Sequence, residues 1–165
     1  MFDPKAKPQR GEMTEAAAKL GVAIIAPDLN GPDDIAGAIQ VLASERVDAA
    51  VVLETAMLLS VRDQIAKLMS QNLVPAMYGY PEHVQAGGLI SYGVDLVWCW
   101  QRAATFAQKI LNGTAPADLP VEFPTKIQLA VNLKAAKALG LTIPPTLLAR
   151  ADEVINRLVR LRLWH

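Results

Sequence analysis

The sequence holds one cysteine, two histidines and few aromatic side chains, 5% of its 165 residues. The single Cys99 excludes an internal disulfide and a multi-cysteine zinc site, and it leaves the redox compartment open. His83 and the terminal His165 are too few for a histidine-based metal or acid–base centre without further partners. Net charge is missing as well. Sixteen Lys and Arg balance sixteen Asp and Glu, so no global field steers the chain to nucleic acid or to an acidic membrane surface, and nucleic-acid binding is not expected. No run reaches the roughly 18 apolar residues of a membrane span. MFDPKAKPQRGEM, the N-terminal stretch, has no apolar core of a signal peptide; taken as a genuine start, it predicts no export and a cytoplasmic protein. Gly87-Gly88 lacks the context of a phosphate-binding loop. What the chain does have is apolar bulk: 52% hydrophobic residues, enough for one domain with a core.

Taken in order, Gln9 to Leu20 reads as a helix with Ala16, Ala17 and Leu20 on a weak apolar face and Gly21 as its stop. Val22 to Ala26, VAIIA, reads as the first strand, apolar without alternation, as in a parallel sheet covered on both faces. Asn30-Gly31-Pro32 opens a second helix, with Asp33 and Asp34 at the positive end of its dipole and Ile35, Ala38, Ile39 and Leu42 inward. Strands follow at Ala49 to Leu53, Val74 to Tyr78 and Leu89 to Tyr92. Between them lie a helix over 57–71, where Ser60 and Asp63 have capping-box spacing, and a short helix at Pro81 to Ala86. This rhythm of repeated crossovers predicts an α/β fold, a doubly wound and mostly parallel sheet flanked by helices. The longest helix, Leu96 to Leu111, carries too many apolar residues for one stripe and is expected to be buried on more than one side.

Asp118 to Leu148, DLPVEFPTKIQLAVNLKAAKALGLTIPPTLL, is the most distinctive text. Pro120, Pro124, Pro144 and Pro145 punctuate it. Ile127, Leu129 and Val131 alternate with Lys126, Gln128, Ala130 and Asn132, predicting a strand with one covered face. Asn132 can cap a helix from Leu133 to Leu139 that ends at Gly140. From Pro116 to Ile155, with weaker echoes over Val74 to Gly93, the chain resembles one family of ABC-transporter substrate-binding proteins, the group with the periplasmic-binding-protein type I fold that includes tryptophan-binding members.

That resemblance implies a two-lobed receptor, a small-molecule ligand in the cleft between lobes, an ABC permease as partner and a periplasmic location. It implies neither an enzyme nor a cofactor. Phe2-Asp3-Pro4 resembles the turn just after the first strand of the second lobe. The expected organisation is therefore incomplete relative to the family: residues 1–93 form the second lobe without its first strand, 94–155 the crossover helix, hinge strand and closing segments of the first lobe, and 156–165 a tail. Loss of a central strand leaves unpaired backbone and an open apolar face. A homodimer, segment-swapped in one form, is expected to cover it through Trp98, Trp100 and Phe106.

Ligands of open α/β sheets sit beyond the carboxyl ends of the strands. This picks out Glu54 and Thr55, then Tyr78, Gly79 and Tyr80, then Tyr92, Gly93 and Asp95. The expected ligand-binding set is Thr55, Tyr78, Tyr80, Tyr92, Gly93 and Asp95, serving a solute such as an aromatic or branched amino acid; for Tyr78 and Tyr92 ordinary packing stands equally open. The alternative function is a self-associating remnant or sensing domain that serves no transport. His83 beside Glu82 is expected at the surface, Cys99 as a buried small hydrophobe, and Asp33-Asp34 as helix-start residues and no metal pair. The tail, Asn156 to His165, is open between an amphipathic helix and a strand.

Overall fold

The computed structural model describes residues 6–156, with side chains from residue 11 onward. The expectations for Phe2-Asp3-Pro4 and for nearly all of the tail lie outside the described residues. The chain opens with helix α1, Ala6–Leu20, closed by Gly21 at φ +66°. A 3-10 turn, Pro32–Asp34, leads into α2, Ile35–Ser44, which buries Ile35 and Ile39. Three short parallel strands follow: β1, Ala50–Val52; β2, Ala76–Tyr78; and β3, Ile90–Val94. Between β1 and β2 run α3, Ala56–Ser60, and α4, Arg62–Gln71; between β2 and β3 runs α5, Pro81–Gln85.

The long helix α6, Leu96–Leu111, then carries the chain back, so that β4, Ile127–Asn132, pairs antiparallel with β3. Helices α7, Leu133–Ala138, and α8, Pro145–Leu148, precede β5, Glu153–Ile155, which pairs parallel with β4. The five strands stand side by side in chain order, a mixed and mostly parallel sheet flanked by helices, as the rhythm of apolar runs predicted. Asn132 caps α7 as expected, its Oδ1 accepting from the Ala135 N–H at 3.0 Å, and Gly140 takes the left-handed conformation at φ +69°.

One core dominates. Ile39 of α2, Leu58 of α3, Ile65 and Met69 of α4 and Val84 of α5 pack on Val52, Ala76, Tyr78 and Ala130 of the sheet. Each such aliphatic side chain contributes roughly 1.5–3 kcal/mol when fully taken out of water.

Several sequence expectations are corrected. Val22 to Ala26 forms no strand, and Val22, Ile24 and Ile25 are exposed. A strand exists only through a ladder partner, and apolar content supplies none. The expected helix over 57–71 breaks at Val61, whose φ −112°, ψ 23° is not helical. Thr55, rather than Ser60, caps its first piece; the Ser60 hydroxyl donates to the Met57 carbonyl instead. In β4 the burial does not alternate, because Leu129 to Asn132 are all buried while Ile127 is exposed. Flanking by β3 and β5 and cover on both faces account for that. His83 lies inside rather than at the surface, only 1% exposed and stacked on Tyr78 at 4.8 Å between ring centroids. No residue of α6 is fully buried, and Cys99 is only half-buried, because the sheet offers that helix little to pack on.

Candidate functional site

Because β1, β2 and β3 are parallel, their carboxyl ends lie together. Glu54 and Thr55 follow β1, Gly79 and Tyr80 follow β2, and Asp95 follows β3. The backbones are drawn close there. A Cβ on Gly93 would strike the Gly79 carbonyl and come within 2.7 Å of the Glu54 Oε1, and a Cβ on Gly79 would land on the Glu54 side chain. The Glu54 side chain therefore packs against the backbone at both glycines, and at Gly93 the obstacle to a side chain is the backbone itself.

An open cavity of about 410 Å³ begins at this point. Met13 and Ala16 of α1 bound it on one side, Val51, Met77 and Tyr92 of the sheet on the other, and Glu54 with Gly79 at the strand ends. Its size falls within the usual range for small-molecule sites, roughly 300–1,000 Å³, and its lining is mostly apolar. Burial raises the Glu54 carboxyl above its ordinary value. The Tyr80 hydroxyl is also raised, first by burial and then by the charges of Glu54 and Glu82.

The six expected ligand residues separate into different environments. Tyr92 is 53% exposed and lines the cavity. Tyr80 stands at the N-cap of α5, near enough to Glu54 to feel its charge. Gly93 supplies the close approach just described. Thr55 is buried, its Oγ1 accepting from the Leu58 N–H at 3.2 Å to start α3. Tyr78 is buried against His83, and burial drives its hydroxyl well above the usual range. Both oxygens of the Asp95 carboxylate are engaged. Oδ1 accepts from the Trp98 N–H at 2.9 Å, capping α6, while Oδ2 meets Lys126 Nζ at 2.7 Å and Gln128 Nε2 at 3.1 Å. The hydrogen bond from Lys126 holds that carboxyl below its ordinary range.

Of the three residues expected at an oligomer interface, Trp100 is 73% exposed, and Trp98 and Phe106 are half-buried. Arg102 and Lys109 each place a cation 5.7 Å from the Phe106 ring. Sequence reasoning missed the contribution of α1 to the cavity. The weak apolar face of that helix gave no sign that Met13 would meet the sheet. No cluster of metal-ligating side chains occurs among the described residues, and none of their helices is long and apolar enough to cross a membrane.

Comparison with known proteins bears on this site. The family described as "ABC transporter substrate binding protein" matches residues 3–155. A conserved domain protein from Vibrio cholerae shares 26% identity at a TM-score of 0.84, over 93% of this chain and 52% of that one. The ABC domain of Streptococcus pneumoniae, solved in complex with L-Trp, shares 27% identity at a TM-score of 0.82, over 91% of this chain and 50% of that one. The ligand-free, open structure of CD0873, a substrate binding protein with adhesive properties from Clostridium difficile, shares the fold at a TM-score of 0.67 with 22% identity, over 94% and 52% respectively. This chain thus spans about half the length of those solved proteins. No curated protein matches it in sequence at a significant level.

Proposed function

This chain belongs to the ABC transporter substrate binding protein family, and on that premise we propose that it binds a small solute, an aromatic or branched amino acid, for an ABC permease. The observation that carries the reading is the apolar cavity at the carboxyl ends of β1 and β2, with Glu54, Gly79 and Tyr92 on its wall. Tyr80 and Gly93 complete that side of the site with Tyr78, which also lines the cavity, and Thr55 and Asp95 cap the helices that follow β1 and β3. A similar protein from Streptococcus pneumoniae was solved with L-Trp, which makes tryptophan the first solute to try. The working location is the periplasm, as is usual for the family. The lobe boundary is placed after residue 93, at the end of β3.

Thermal unfolding of the purified chain with L-tryptophan, L-phenylalanine and L-leucine tests this. Saturation at about 100 times the dissociation constant adds roughly 2.7 kcal/mol, and for a domain of this size that is a rise of about 5–10 °C in Tm. A Tm that no amino acid moves would defeat the reading for this chain.

A second reading is favoured by α6. Val97, Trp100 and Leu111 of α6 are apolar side chains exposed to water, a face that a partner surface would cover. On that reading the chain self-associates through α6, as a homodimer, and serves no transport. The two readings part on the same samples: stabilisation by a solute supports the first, and a dimer indifferent to every solute supports the second.

A further inference from the structure

We infer that the outer edge of β1 takes the C-terminal segment 156–165 of a second copy as an added strand, so that two chains exchange these segments in a dimer. The surface is a sheet edge, distinct from α6, and the partner that fits it is a basic, apolar strand. The inference is independent of the solute-binding reading.

Edge strands are commonly blunted by lysine, proline or a bulge. β1 is Ala50, Val51 and Val52, and it stands at the rim of the sheet. The Ala50 N–H donates inward to the Pro75 carbonyl at 2.8 Å. Backbone groups alternate along a strand, so Val51 directs its N–H and C=O outward, where no described strand lies. Its side chain is 55% exposed. A second β1 matches this edge poorly. Antiparallel pairing about Val51 sets Asp48 against the partner's Glu54, and like charges opposite each other destabilise a sheet. A basic strand suits it better. Glu12 and Glu54 line the cavity on the Val51 side, no described basic side chain does, and neither carboxylate has an ion pair among the described residues.

The segment that follows β5, NRLVRLRLWH, has the complementary chemistry, with three arginines and no acid. Val159, Leu161 and Leu163 alternate with Arg160 and Arg162, the period of a strand. Added beside β1, the first set extends the apolar face of Ala50 and Val52. The two arginines then come to the Val51 face, beside Glu12 and Glu54. A second copy supplies the segment because β5 is the opposite edge of the sheet, about 19 Å away at ~4.8 Å per strand. Crossing to its own β1 would consume about six residues at ~3.3 Å each, Arg160 among them.

Light scattering compares the full chain, a chain ending at Ile155 and the double variant Arg160→Glu/Arg162→Glu, with circular dichroism to check that each is folded. The full chain is a dimer and the other two are monomers. Adding Glu12→Lys and Glu54→Lys to the double variant restores the dimer, which a merely structural loss would not allow. A labelled peptide of residues 156–165 binds the shortened chain, read by fluorescence anisotropy. Val51→Pro removes the outward N–H, leaves the ladder to β2 intact and weakens the peptide by roughly tenfold or more. Trp100→Glu leaves the full chain dimeric. A monomeric full chain overturns the exchange. So does a dimer that survives loss of residues 156–165, or one that Trp100→Glu dissociates while the segment is present. None of these outcomes decides the solute-binding reading, which stands or falls on the shift in Tm.

Discussion

Gly79 and Gly93 look interchangeable in the sequence, since each follows a tyrosine near a strand end, but their neighbours differ in how far they can yield. A methyl group on Gly79 meets the Glu54 side chain from its Cγ outward, whereas one on Gly93 meets the Gly79 backbone carbonyl. Gly93→Ala should therefore cost about 1–3 kcal/mol, the usual penalty of overpacking against a group that cannot move, while Gly79→Ala should cost clearly less. Urea unfolding of the two variants checks this, and equal losses would show the Gly79 carbonyl to be the softer neighbour. Single residues were unevenly legible. The caps at Asn132 and Gly140 follow from local chemistry and were readable in the sequence. Asp95 was readable as a residue at a strand end, but its engagement by Lys126 and Gln128 depends on the antiparallel return of β4, which nothing near residue 95 encodes. His83 went the same way: a polar residue beside a glutamate reads as exposed, and only the stacking on Tyr78 brings it inside.

Elements were legible where their own residues decide them. Helix α6 was foreseen to its ends, with Asp95 before it and Asn112-Gly113 after it. Its environment was not, because burial belongs to the partner surface and not to the helix. The segment 22–26 failed for the reverse reason: its composition suits a strand, but β1 is the edge of the sheet and does not pair with it. The exposed face of α6 leads to a prediction at this scale. If Val97 and Trp100 meet a second copy, Trp100→Glu places a charge in an apolar contact and dissociates the dimer, with little change in the helical content of each chain. Light scattering and circular dichroism read the two effects separately. A parent chain already monomeric at working concentration removes the homodimer and leaves α6 as a face for another partner.

For the whole molecule, the response to acid follows from three groups with different signs. Burial lowers the His83 pKa, so the unfolded chain takes up that proton first and stability falls as pH drops below about 6.5. Glu54 is raised, so the folded chain takes up its proton first and acidification relieves rather than harms it. Asp95 is lowered, chiefly by Lys126, and its contribution is lost only at pH below its ordinary 3.8. The His83 and Glu54 effects thus have opposite signs, and the variants separate them. His83→Phe, which keeps the stack on Tyr78 and leaves no ring nitrogen buried without a partner, should lose less Tm on acidification than the parent. An unchanged slope would mean that His83 is hydrated as the protein acidifies.

The order of the sheet has one more consequence. Among the described residues each strand after β1 lies beside the strand that precedes it in the chain, so none of these four must wait for a partner made later. As the polypeptide leaves a ribosome, β2 finds β1 already exposed, β3 finds β2, and β4 folds back on β3 once α6 has emerged. Assembly can keep pace with synthesis from the first strand to the last, and the intervals with an unpaired apolar edge, when chains aggregate, are short.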